Sequence, residues 1–174
     1  MIFIKKALIM SFFCLVVLSG CSLTAKQPAP PLLELDGRTC EVTFRNNTYT
    51  AEISLPHDNT TVIKFTSPDS IANTQYTFTD SELEIKSDAL VFSCDTEYLQ
   101  ENSLPSLIDC VLTDIISESS VVYCGTAPDA DNTSTLALYS GDTDNFTYTV
   151  KTDFDTGITK EIISEDKRLK IIIL

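Results

Sequence analysis

Between residues 38 and 94 apolar and polar positions alternate, which is the pattern of strands with one buried face. Residues 38–45 place Cys40, Val42 and Phe44 on one side, and residues 48–55 place Tyr49, Ala51, Ile53 and Leu55 on one side. Asn46-Asn47 between them suits the positive φ angles of a tight hairpin turn. Residues 56–59 predict the next turn, and residues 60–66 a third strand with Ile63 and Phe65 inward, ended by Ser67-Pro68-Asp69. After a loop over residues 70–74, residues 75–79 offer Tyr76 and Phe78. Asp80-Ser81 then leads to residues 82–86 with Leu83 and Ile85. Leu90, Phe92 and Cys94 continue the alternation in a sixth strand. Every connection is too short for a helical crossover, so this half reads as an antiparallel meander.

The period then changes from 2 to 3.6. Leu104, Leu107, Ile108, Val111, Leu112 and Ile115 recur at i, i+3, i+4 spacing, while Asp109, Asp114 and Glu118 fall elsewhere on the wheel. Ser103 suits the N-cap and Pro105 is tolerated in the first turn, which predicts one helix over residues 104–117. Its apolar stripe has to be buried, and one face of the sheet is the surface available.

Strands resume at residues 120–125 and 133–140, the latter with Leu136 and Leu138 in step, and at 145–152 with Phe146, Tyr148 and Val150. Asp155-Thr156-Gly157 predicts a turn into residues 158–164. The last run, Leu-Lys-Ile-Ile-Ile-Leu at 169–174, is almost continuously apolar. Left at an edge it would invite aggregation, so it is expected to be paired on both sides or covered by the helix.

The first twenty-one residues follow none of these periods. Lys5 and Lys6 precede an apolar run at 7–18 that is short for a membrane span, the form of a secretory signal. Leu18-Ser19-Gly20-Cys21 closes it and resembles the lipobox of bacterial lipoproteins, in which the cysteine is acylated with chains such as palmitate and becomes the new N-terminus. The resemblance implies a signal peptide over residues 1–20, lipidation at Cys21 and attachment to the extracytoplasmic face of the cell membrane. Residues 21–33, with Pro28, Pro30 and Pro31, read as an extended tether, and residues 34–174 as a single domain.

Loss of Lys5 and Lys6 takes the cations from 12 to 10 against 25 acidic residues, a net charge of −15. Such a charge argues against nucleic acid as a partner and suits a solvated monomer. Cys14 and Cys21 belong to the signal region, leaving Cys40, Cys94, Cys110 and Cys124 in the domain. Four cysteines outside the cytoplasm allow two disulfides in three connectivities, yet all four sit in apolar patterns where cysteine also serves as a small buried hydrophobe.

Six strands, one amphipathic helix and four or five further strands behind a lipobox resemble the lipoprotein-carrier (LolA-like) family. The tokens that carry the likeness are residues 44–51, Phe-Arg-Asn-Asn-Thr-Tyr-Thr-Ala, residues 63–68, Ile-Lys-Phe-Thr-Ser-Pro, and residues 153–157, Asp-Phe-Asp-Thr-Gly. The resemblance implies a mainly β (α+β) fold: a strongly curved antiparallel sheet, or incomplete barrel, of about ten or eleven strands with the helix over its concave face. Carriers of this family hold lipoprotein acyl chains in that concave cavity but are soluble shuttles, whereas this chain carries a lipidation signal of its own. A tethered relative could hold an apolar ligand, assist envelope assembly or keep only the scaffold.

Catalytic chemistry finds little support. His57 has Ser54 and Asp58 near it in sequence only, and no nucleophile elbow is present. Residues 129–132 and 142–145 look like the start of calcium loops but lack the glycine and distal glutamate those require. The Asn-x-Ser/Thr triplets at Asn46, Asn59, Asn132 and Asn145 read as turn chemistry. No metal or cofactor is expected. The expected function is therefore a non-catalytic, membrane-anchored lipoprotein that binds a lipid or other apolar ligand between sheet and helix, lined by Phe44, Ile53, Phe65, Tyr76, Phe78, Leu104, Leu107, Ile108 and Val111. The alternative is a structural or protein-interaction module of the cell envelope in which the same residues form an ordinary packed core.

Overall fold

A computed structural model describes residues 26–57, 59–117, 121–129 and 134–174 of the chain. The signal, the lipobox with Cys21, and the predicted strand starts at Ser120 and Thr133 lie outside the described residues. Eleven strands form one sheet: β1 (Thr39–Phe44), β2 (Asn47–His57), β3 (Thr60–Ser67), β4 (Thr74–Phe78), β5 (Glu82–Ser87), β6 (Leu90–Asp95), β7 (Val121–Pro128), β8 (Thr135–Thr143), β9 (Phe146–Asp153), β10 (Thr159–Ser164) and β11 (Leu169–Ile173). A short 3-10 turn (Thr96–Tyr98) precedes the α-helix α1 (Leu104–Ile116).

The strand order is β6-β5-β4-β3-β2-β1-β11-β10-β9-β8-β7, antiparallel throughout. Two meanders, β1–β6 and β7–β11, meet where the first strand pairs with the last, from Cys40↔Ile173 to Phe44↔Leu169. β11 is thus paired on both sides, the arrangement its apolar run demanded. Among the described residues β6 and β7 remain as open edges, so the sheet is an incomplete barrel rather than a closed one.

Curvature follows from what the helix touches. α1 packs against both β3 and β8, which stand six strands apart. A flat sheet would separate them by roughly 29 Å at the usual strand spacing, more than twice a helix diameter. The sheet therefore bends around α1. Ser103 caps the helix by accepting from the Ser106 N–H, Pro105 sits in the first turn, and Leu104, Leu107, Ile108, Val111, Leu112 and Ile115 are all buried. Each such side chain contributes about 1.5–3 kcal/mol on leaving water, before the entropy of ordering is set against it.

Three details differ from the sequence reading. The first hairpin turns on Arg45-Asn46, both with positive φ, rather than on Asn46-Asn47, because Phe44 pairs with Asn47. β2 likewise runs through Pro56 to His57, and the positive φ falls at Asn59. In β8 the inward residues are Ala137, Tyr139 and Gly141, opposite Thr152, Val150 and Tyr148, so Leu138 faces outward and is half-buried. The leucine spacing misled here because an inward tyrosine can carry its hydroxyl to a partner and an inward glycine makes room for a ring.

The proline-rich stretch is extended, as its composition suggests, but it is not free of the domain. The Ala29 N–H donates to the Phe154 carbonyl (3.1 Å), the Leu32 N–H to the Gly157 carbonyl (2.8 Å) and the Thr159 N–H to the Leu32 carbonyl (2.9 Å). Leu32 forms a parallel bridge with Ile158, and Leu35 is buried in the core. Residues 26–35 thus make a strap across the β9–β10 end of the sheet, and the chain is ordered against the domain before the change of texture near Leu33.

Candidate functional site

The apolar interior between α1 and the sheet gathers the predicted lining. Phe44, Ile53, Phe65, Phe78, Leu104, Leu107, Ile108 and Val111 belong to one contiguous buried cluster, and Tyr76 packs against it half-buried. Their alignment comes from the alternation: β1, β2, β3 and β4 each turn one residue in two toward the helix. Edge-on ring contacts run Tyr49–Phe65–Tyr76, with centroids 6.0 Å apart at each step. The second meander completes the interior with Tyr139, Phe146, Tyr148, Val150, Ile162 and Ile171. The sequence reading left these out of the lining, although the alternation of residues 146–150 carried the signal for three of them.

Polar ties to the sheet hold α1 in place, a Cys110–Thr143 hydrogen bond among them. The Tyr148 hydroxyl donates to the Asp114 carboxylate at 2.5 Å. The ring reaches it by lying across Gly141, where a Cβ would meet the Tyr148 ring at 2.1 Å. On the opposite flank Asp109 accepts from the Thr61 and Thr113 hydroxyls. Burial nevertheless outweighs those two bonds and holds the Asp109 carboxyl above the usual carboxylate range.

Open grooves mark where each flank of the helix meets the sheet. One, about 480 Å³, lies between Asp109, Cys110, Thr113, Asp114 and Ser117 of the helix side and Asp142–Asn145 of the β8–β9 turn. The other, about 370 Å³, is bounded by Asn59, Phe78, Thr79, Asp80, Thr96 and Ser106, and Asp109 and Thr113 border it as well as the first. Both margins are polar while the surface beneath the helix is apolar. Any apolar guest would lie under the helix rather than in the grooves.

His57 stands exposed at the end of β2, with Ser54 partly buried three residues before it; Asp58 lies outside the described residues. Residues 130–133, and with them most of the first calcium-like loop, also lie outside the described residues. Among the described residues no three His, Cys, Asp or Glu side chains are grouped to hold a metal ion. Cys40, Cys94, Cys110 and Cys124 are all free thiols, spread over β1, β6, α1 and β7. Burial pushes Cys40 up to about 11. It also raises Cys110, where the neighbouring carboxylates add to the effect and a Thr143 hydrogen bond opposes it. Neither is an activated nucleophile. Among the described residues no helix is long and apolar enough to cross a membrane.

No protein-family model and no curated protein matches this chain. Solved structures similar to parts of it include an uncharacterized conserved protein from Thermus thermophilus, at 10% identity over 79% of this chain and 75% of that one, TM-score 0.47. A LolA superfamily protein from Nitrosomonas europaea matches at 8% identity over 76% of this chain and 64% of that one, TM-score 0.36. LprF from Mycobacterium bovis matches at 12% identity over 79% and 83%, TM-score 0.37.

Proposed function

We propose that this protein is a non-catalytic lipoprotein of the cell envelope, cleaved before Cys21, lipidated there and held at the extracytoplasmic face of the membrane, where it binds a lipid or other apolar molecule between α1 and the sheet. The observation that carries the reading is the helix itself. One amphipathic element spans the open side of a bent sheet, and the core beneath it is mostly branched aliphatic and aromatic, the lining that acyl chains prefer. A single helix is also the part of such a fold that can be displaced at least cost, since the strands are bonded to neighbours along their length. A guest enters by displacing α1 along the Asp109 or Asp114 margin and replaces the contacts of Leu107, Ile108 and Val111 with its own methylenes.

A second reading is favoured by a separate observation. The nine predicted lining residues already fill the space against one another, and the exposed apolar side chains Leu90, Val91 and Phe92 lie on the open β6 edge. A protein-interaction module of the envelope would look like this as well. Native mass spectrometry of the protein purified from its membrane, together with titration of a fluorescent fatty acid, separates the two. Co-purified lipid or saturable uptake, abolished by Val111→Trp, supports ligand binding. Absence of both leaves the interaction module.

A further inference from the structure

We propose that the strap and the β7 edge form the face that lies against the bilayer, with a zwitterionic headgroup surface as partner. This deepens the anchoring reading and rests on lipidation at Cys21. Counting along the sequence, four residues separate Cys21 from Lys26, and the five steps between them reach about 17 Å when fully extended. Lys26 is the first of the described residues and is already tied to the domain. Its ammonium meets the Asp155 carboxylate at 2.5 Å, and three residues on, the Ala29 carbonyl accepts from the Tyr139 hydroxyl at 2.6 Å while its N–H is taken by Phe154. A strap fixed so soon after the acylated residue leaves the domain little freedom to turn another side to the lipid.

What lies around that point suits a headgroup layer. Tyr123 packs edge-on against Tyr139 with ring centroids 5.7 Å apart, yet remains 45% exposed, and Val122 beside it is 67% exposed. Pro28, Pro30 and the two tyrosines line a shallow, mainly apolar groove of about 440 Å³. Tyrosine with an apolar body and a polar tip is favoured at the membrane interface, and the unpaired groups of an edge strand are satisfied there by hydrated headgroups and shielded from pairing with another chain. The net charge of −15 after cleavage disfavours anionic lipid, which is why the partner is a zwitterionic surface. Leu90, Val91 and Phe92 form the rival apolar face, but they stand on the other edge of the sheet, and among the described residues the strap makes no hydrogen bond there.

The chain contains no tryptophan, so a single one reports its own surroundings without background. The full lipidated chain carrying Tyr123→Trp, and separately Phe92→Trp, is reconstituted into phosphatidylcholine vesicles whose acyl chains are brominated. The expected result is quenching of Tyr123→Trp several-fold stronger than that of Phe92→Trp. Gln27→Trp, at an exposed position lining the same groove, preserves the comparison should Tyr123→Trp disturb Tyr139. Equal or stronger quenching at position 92, or no quenching at either edge in protein that floats with the vesicles, overturns the proposal. Protein that fails to float overturns the anchoring reading and the proposal together.

Discussion

Single residues carry consequences that their burial alone does not show. Gly157 has φ +77°, and a Cβ there would meet the Pro30 carbonyl oxygen at 2.1 Å, so this glycine both closes the β9–β10 turn and lets the strap lie against it. Gly37 has a similar φ of +71° but open space around it. Gly37→Ala should therefore cost only the left-handed backbone penalty of about 1–2 kcal/mol, while Gly157→Ala should cost clearly more and expose the strap to protease. Urea unfolding with limited proteolysis reads both, and equal losses at the two sites would contradict the strap's role. Asp109 and Glu161 should act on stability with opposite signs. Burial raises Asp109, so its folded form takes up a proton more readily than the unfolded one; its contribution is greatest below the ordinary aspartate range and is lost as pH rises through the folded value. Burial also raises Glu161, but Lys151 and Lys170, at 2.5 and 2.6 Å, outweigh it and lower the group overall; its contribution is present above the ordinary glutamate range and lost on acidification. Asp109→Asn, which keeps partners for Thr61 and Thr113, should flatten the fall in stability that sets in as pH rises above the ordinary aspartate range and leave the protein more stable once that fall is complete. A difference profile, wild type minus variant, that rises with pH would contradict this.

Elements were legible where a local pattern had one physical meaning. The helix was readable from its stripe and cap to within a residue, since a 3.6 period behind Ser103 and Pro105 has few alternatives. Ser103→Ala should cost about 1 kcal/mol and shorten the helix at its N-terminus, seen as faster amide exchange in the first turn. β6 shows where the pattern stops being informative. Leu90, Phe92 and Cys94 alternate as inward residues should, and Cys94 does pack against the core, yet Leu90 is 77% and Phe92 59% exposed, because β6 is the last strand and its first residues extend beyond what the described residues cover. Alternation reports a strand but not whether its apolar face has been covered. Phe92→Thr should change stability by no more than about 0.5 kcal/mol and reduce self-association in light scattering, whereas the same exchange at Phe65 should be severely destabilising. The candidate lining was legible in the first meander for the same reason the strands were. Its other half was assigned too few residues because Tyr139, Tyr148 and Gly141 act inward through a hydroxyl and through missing bulk, which hydrophobicity does not encode.

At the scale of the molecule the decisive contact joins the two ends of the domain. Each meander is built from neighbours in sequence, and among the described residues β1–β11 is the one strand pairing that links them, between positions more than a hundred residues apart. The apolar run at 169–174 announced that it needed two partners, but no local signal could say that one of them would be β1. That is settled by closure of the sheet around α1, whose own contacts fall on β3 in one meander and β8 in the other. The chain's cohesion therefore rests on its last element. Ending the chain before Leu169 removes Leu169 and Ile171 from the core, strips β1 of its partner on that side and leaves two half-sheets, each with a fresh edge, joined by the helix and by the strap's bonds to the β9–β10 end. Such a chain should lose its cooperative thermal transition and aggregate, rather than unfold at a slightly lower temperature. Ile171→Ala keeps the pairing and should cost about 2–5 kcal/mol with cooperativity intact. Because so distant a closure must form before it is rewarded, refolding from urea should be slow for a domain of this size, in the millisecond-to-second range. A truncated chain that still melted in one sharp step would mean that α1 and the strap, and not β11, are what make the two meanders a single fold.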